Sequence, residues 1–248
     1  MSLYGQLFTA RKAGRHEEAL ATAARLVDGF QDASEPPLQK LIADALTFLS
    51  GRLIQIGRDT EAFAAIETLS TLFGNDTAPI ELQRLAARAL MLKGLRLGDS
   101  GEYERGTETF GELIDKFCGS VDPILAEHVF DAFINKSVFL RHLDRTREEL
   151  EACTTSISLF SNSPERSMQV RVAKVLLGLA CRLGQLERHA ESIATYAQVV
   201  ERFEGSADGE LRDAVSIAVT NLTHGLRHFR KIWNARVIAA KQIVTTVQ

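Results

Sequence analysis

Gly14-Arg15-His16-Glu17-Glu18-Ala19-Leu20 is followed, 43 residues on, by Gly57-Arg58-Asp59-Thr60-Glu61-Ala62-Phe63. Further copies begin at Gly101, Asp144 and Glu187, at spacings of 44, 43 and 43. Sixteen residues after each start stands a phenylalanine: Phe30, Phe73, Phe117, Phe160 and Phe203. Only 13 of the 248 residues are Phe, so five in register mark a true internal repeat, and all five are expected to be largely buried between units.

Each copy opens with an apolar stripe at spacings of three, four and three. It reads Leu20, Ala23, Val27, Phe30 in the first copy and Phe63, Ile66, Ser70, Phe73 in the second. It continues as Thr107, Phe110, Ile114, Phe117, then Leu150, Cys153, Ile157, Phe160, and last Ile193, Tyr196, Val200, Phe203. That is one face of a 3.6-residue helix about four turns long. Linkers follow at 31–37, 74–79, 118–123, 161–164 and 204–209, and they hold all five prolines. Proline cannot donate the helical hydrogen bond, so its confinement to linkers leaves the helices between them unbroken. Asp122 and Ser163 suit the start of the helix that follows.

A second helix is expected after each linker, near 38–56, 80–98, 124–143, 165–183 and 210–229. A first short helix is expected over 2–13 and a separate terminal one over 231–247. Seven residues before each new start stands a small residue: Ser50, Gly94, Ser137, Ala180, Thr223. Ala19, Ala62, Gly106 and Ser192 tend to be small at the facing position, so neighbouring helix axes can approach closely. No alternating Val/Ile/Thr run flanked by turn residues signals a strand.

Composition agrees with a globular helical chain. Hydrophobic residues make up 45% and charged residues 25%, too apolar for disorder and too mixed for a membrane protein. No run approaches 18 apolar residues, so no membrane span is expected. The start lacks a basic lead-in and an apolar core, so no signal peptide is expected. Three cysteines, at 118, 153 and 181, form no close pair. That points to a reducing, cytoplasmic setting. The net charge of −3 is uneven: after Asp213 there is no acidic residue, and the last 35 residues carry +5. Either these cations complement helix C-termini, or they form a docking end for an acidic partner or anionic surface.

The repeat resembles the tetratricopeptide-repeat family. The resemblance rests on the small positions from Ser50 to Thr223, the turn glycines Gly14, Gly57 and Gly101, and the pairs Glu18-Ala19 and Glu61-Ala62. The family's unit is about 34 residues; one of about 43 looks like a long-repeat bacterial variety. Asp144 replaces one turn glycine, and Glu149 replaces one small residue. The resemblance covers nearly the whole chain, from Tyr4 to about Val244, and 1–248 is expected to be a single repeat domain. It implies an all-α, right-handed α-solenoid of stacked antiparallel hairpins, about six hairpins or twelve helices.

Signatures of catalysis are missing. No G-x-x-x-x-G-K-[ST] phosphate loop and no G-x-G-x-x-G occurs. Gly98-Asp99-Ser100-Gly101 imitates a serine-nucleophile neighbourhood but falls at a hairpin turn, without a supporting triad. His224 and His228 share a helix face four residues apart, yet Gly225 stands where the glutamate of HExxH would be. No cofactor, metal or catalytic residue is expected.

By the resemblance, ligands lie along the inner face of the first helix of each hairpin. The corresponding positions here include Arg11, Lys12, Asp44, Thr47, Gln55, Arg88, Asn135, Arg141, His142, Lys174, Asn221, His224, Arg227 and His228. Lys and Arg outnumber Asp among the positions on this face, which implies an acidic or extended peptide or protein as partner. The basic end, with Arg230, Lys231, Trp233 and Arg236, is expected either to pack on its own chain or to dock a second copy or another protein. The function expected is a non-catalytic binding scaffold. The alternatives are an accessory or regulatory subunit of an enzyme complex and a nucleic-acid-binding solenoid. The last is disfavoured by the acidic total and by a basic tail whose only aromatics are Phe229 and Trp233.

Overall fold

The computed structural model describes residues 2–246, with side chains through Arg227. Among the described residues there are eleven α-helices and no strand. The leading helices are α1 (Leu3–Lys12), α3 (Pro36–Gln55), α5 (Ile80–Asp99), α7 (Pro123–His142), α9 (Arg166–Gln185) and α11 (Gly209–Thr246). The trailing helices are α2 (His16–Phe30), α4 (Asp59–Phe73), α6 (Tyr103–Phe117), α8 (Thr146–Phe160) and α10 (His189–Phe203). Every trailing helix ends on the phenylalanine that marks the period.

The chain divides into two compact units, residues 1–149 and 150–248, with the boundary inside α8. In unit 1 each helix packs on the next, and α3 also packs on α5 and α5 on α7. The leading helices α3, α5 and α7 thus lie side by side in one layer. In unit 2, α9 packs on α10, α10 on α11 and α9 on α11.

The hairpin turns explain the period. Gly14, Gly57, Gly101, Asp144 and Glu187 all have positive φ, between 56° and 77°. Each closes the helix before it with the same pair of bonds. The Gly14 amide donates to the Arg11 carbonyl (3.2 Å), and the Arg15 amide donates to the Ala10 carbonyl (3.0 Å). Asp144 and Arg145 repeat this on Arg141 and Leu140, and Glu187 and Arg188 on Gly184 and Leu183. The repeat starts are therefore the left-handed residues just past the C-caps of the leading helices. Two of them are held by residues that favour that conformation less than glycine.

Just beyond each turn an arginine and a glutamate three apart pair across the first turn of the trailing helix. The pairs are Arg15–Glu18, Arg58–Glu61, Arg145–Glu148 and Arg188–Glu191, at 2.5–2.7 Å. In α6 the order is reversed, Glu102 with Arg105. Arg58 and Arg145 also reach Glu17 and Glu104 of the preceding repeat. Hydrogen bonding to the arginine lowers the carboxyl pKa of Glu61, Glu148 and Glu191.

Linker chemistry anchors the leading helices. Asp122 accepts from the Leu125 amide (3.0 Å) and holds Arg84 of α5 (2.6 Å). Asp208 does the same with the Leu211 amide and Arg166. Ser163 accepts from the Glu165 amide, and Gln169 donates back to the Ser161 carbonyl.

Small positions do what their size allows. A Cβ on Gly94 would lie 2.5 Å from the Phe110 ring, and one on Gly98 or Gly106 would meet Phe139 at 2.2 or 2.4 Å. In unit 2, Ser192 donates to the Ala180 carbonyl (2.7 Å). Glu149, standing at a small position, is 1% exposed and accepts from Arg141 Nε at 2.7 Å.

Three expectations need correction. The twelfth helix does not begin at 231, because α11 runs unbroken from Gly209 to Thr246. No proline or paired linker glycine interrupts that stretch, so nothing ends the helix. Thr223 is exposed, unlike Ser50, Gly94, Ser137 and Ala180, because no hairpin turn follows it along α11. The five repeat phenylalanines are not equally buried. Phe73, Phe117 and Phe203 are in the core, Phe160 is half-buried, and Phe30 is 39% exposed.

Candidate functional site

The leading-helix face of unit 1 holds an open cavity of about 630 Å³. Its floor is one face of α3. Asp44, Thr47, Phe48, Gly51, Arg52 and Gln55 recur at helical spacing along it. Arg11 enters from the end of α1, His16 from the start of α2 and Arg88 from α5. The left-handed turn at Gly14 is what brings His16 round to the same side as Arg11. Gly51 leaves room, since a Cβ built there would meet no heavy atom within 4 Å.

Charge in this cavity is unbalanced. Arg11 lies over the Phe48 ring at 4.6 Å, a cation–π contact. Arg52 donates to Gln55 Oε1 at 2.8 Å, while its Nε and the Thr47 hydroxyl are buried with no hydrogen-bond partner among the described residues. Arg11, Arg52 and Arg88 hold no carboxylate among the described residues, and Asp44 holds no cation. By contrast, Arg15, Arg58, Arg84, Arg96, Arg105, Arg141 and Arg145 of the same unit all do. Three arginines face one aspartate, a formal surplus of two positive charges with His16 neutral.

Of the residues expected on the binding face, Arg11 and Arg88 meet in this cavity, together with Asp44, Thr47 and Gln55. Lys12 is exposed at the end of α1. Asn135 lies on α7, where its amide donates to the Asp131 carbonyl at 2.8 Å. Arg141 is tied to buried Glu149, and His142 stacks on Tyr103 with ring centroids 4.3 Å apart. In unit 2, Lys174 pairs with Glu210 at 2.9 Å. Asn221, His224 and Arg227 are exposed along α11 at steps of three. The side chains of His228, Arg230, Lys231, Trp233 and Arg236 lie outside the described residues.

His16, Phe48, Gly51 and Arg52 were not expected at the site. The stripe on α3 at 44, 47, 48, 51, 52 and 55 carries that information in the sequence. Reading it required knowing which side of α3 is free of neighbours. Among the described residues no three His, Cys, Asp or Glu side chains converge as a metal site would require. No described helix is long and apolar enough to cross a membrane. Asp99, Ser100 and Gly101 form the end of α5 and its turn.

No protein-family model and no curated protein sequence matches the chain. Among solved structures it is similar to the apo form of RapI, with TM-score 0.53 and 13% identity over 97% of this chain and 67% of that one. It is also similar to BtubC from P. vanneervenii, with TM-score 0.50 and 14% identity over 94% and 93% of the two chains. Likeness at such identities speaks to architecture. Together with the consecutive hairpins and their recurring turns, it establishes that in fold this chain is a tetratricopeptide-like helical-repeat protein.

Proposed function

We propose that the chain is a non-catalytic scaffold that holds a protein or an extended, acidic peptide on the face of its leading helices. A long-repeat bacterial protein working in the cytoplasm is the setting we infer for it. The repeat of 43–44 residues and three free cysteines, two of them exposed, support that setting.

One observation carries the reading. Arg11 and Arg88, from helices 77 positions apart in the chain, border one open cavity without holding a carboxylate among the described residues. Most arginines of that unit are spent on ion pairs that brace the fold. Arginines left over on a concave surface recognise carboxylate or phosphate groups through paired N–H donors. In unit 2 the exposed row Asn221, His224 and Arg227 adds further N–H donors, one of them a guanidinium.

Capture from a host lysate, identified by mass spectrometry, tests the reading with Arg88→Glu plus Arg227→Glu. These positions are chosen over Arg141, whose reversal would set a second carboxylate against buried Glu149. The double variant is expected to keep its helical circular dichroism and lose the partner. Capture that survives the reversal places the ligand elsewhere.

A further inference from the structure

We infer that the cavity between α1, α3 and α5 is a site for a phosphate monoester, a phosphoryl dianion carried on an organic body. The inference rests on the leading-helix face being the binding surface, and it narrows what this part of that face takes.

Charge decides the class. Arg11, Arg52 and Arg88 against Asp44 leave a surplus of two positive charges. A carboxylate would neutralise half of it, and a phosphoryl dianion neutralises all of it. Geometry agrees. The three arginines come from three separate helices, which suits a tetrahedral group with three terminal oxygens better than a planar carboxylate that one guanidinium satisfies.

Two donors already lack partners there. Arg52 Nε and the Thr47 hydroxyl are buried without a partner among the described residues, so neither is spent on a protein group. Arg52 can turn its Nε–H outward to a ligand oxygen without breaking a hydrogen bond at Nε. Turning Arg52 from Gln55 onto an oxyanion brings the Nε–H and a terminal N–H to bear as one fork. The rest of the cavity suits the organic body. Phe48 supplies an apolar wall, Gly51 leaves the floor open, and 630 Å³ falls within the range of about 300–1,000 Å³ usual for small-ligand sites.

The ester is either a free small molecule or a phosphorylated side chain of the bound partner. Both present the same dianion. Isothermal titration calorimetry of the full chain at low salt separates these sources and tests the site. The probes are phenyl phosphate, benzoate and a short phosphoserine peptide. Phenyl phosphate is expected to bind at least tenfold tighter than benzoate. Arg52→Gln and Arg88→Gln are each expected to weaken it at least tenfold. Gly51→Leu, which fills the floor and keeps every charge, is expected to do the same. Arg25→Gln, on α2 outside the cavity, is expected to bind as the wild type does, and circular dichroism confirms that each variant is folded.

A phosphoserine peptide tighter than phenyl phosphate assigns the ester to the partner, and the reverse order assigns it to a free metabolite. The inference is overturned if phenyl phosphate gives no binding heat, or if its preference over benzoate is under tenfold. Wild-type affinity in folded Arg52→Gln or Gly51→Leu overturns it equally. Loss of the partner in the Arg88/Arg227 capture alongside any of these results would leave the scaffold reading standing and remove only the ligand class.

Discussion

Asp144 and Glu187 sit at φ 56° and 59°, where a Cβ crowds the backbone, and the turns around them still close with the same two hydrogen bonds as the glycine turns. The turn is over-determined by the helices on either side, so the residue is strained rather than the turn lost. Glu187→Gly is therefore expected to leave stability unchanged or raise it by up to about 1 kcal/mol, the strain relieved less the extra unfolded-state entropy of glycine. Glycine normally costs stability elsewhere in a helix, so a loss above 1 kcal/mol in urea unfolding would contradict this account. Phe110 is fully buried between Gly94 and Phe139, so Phe110→Ala is expected to cost about 3–5 kcal/mol. Phe30→Ala, at an exposed helix end, is expected to cost less than about 1 kcal/mol. The period located all five phenylalanines without ranking them. Burial depends on which neighbours a helix end meets, and the stripe on one helix does not contain that.

Linkers are the element on which the repeat depends most. Asp122 caps α7 and clamps Arg84 of α5, and both bonds favour its ionised form, with the Arg84 hydrogen bond the stronger influence. Its folded-state pKa is thus below the unfolded value of about 3.9. A depressed carboxyl contributes stability above the unfolded value and loses it as pH falls through the folded one. Arg84→Gln is accordingly expected to be less stable than the wild type at pH 7. The gap should narrow as pH falls below about 4, where Asp122 protonates in the wild type as well. A gap that stays constant down to pH 2 would show that Arg84 acts through packing alone. Asp122 was legible as a helix start from its position before Pro123, but its arginine clamp was not. Arg84 lies 38 residues away, and only the stacking of α5 on α7 brings the two together. The end of the chain misled for the opposite reason. The basic, apolar run after 230 reads as a separate element, but a helix ends only where something stops it, and α11 meets no such residue.

At the scale of the whole molecule, a 43-residue period and proline-marked linkers were enough to read an all-helical repeat from the sequence. The family resemblance, not the period, suggested that Arg11 and Arg88 share a face. Arg52, His16 and Phe48 escaped that reading because membership of the cavity depends on how α1, α2 and α5 surround α3. We propose that the basic C-terminal end, through Arg230, Lys231, Trp233 and Arg236, docks on the acidic remainder of a second copy, whose residues 1–213 carry −8 (−3 overall less the +5 of the end). Light scattering is then expected to show a dimer that weakens as salt rises. A monomer at every salt concentration would leave that end as a simple cap. The central claim is that the leading helices carry the binding surface, and hydrogen–deuterium exchange of the chain with and without its captured partner tests it most directly. Protection confined to α3, α5, α7 and the end of α1 in unit 1, with α9 and α11 in unit 2, is the predicted result. Protection on the outer faces of α2, α4 and α6, with the leading helices unchanged, would contradict it.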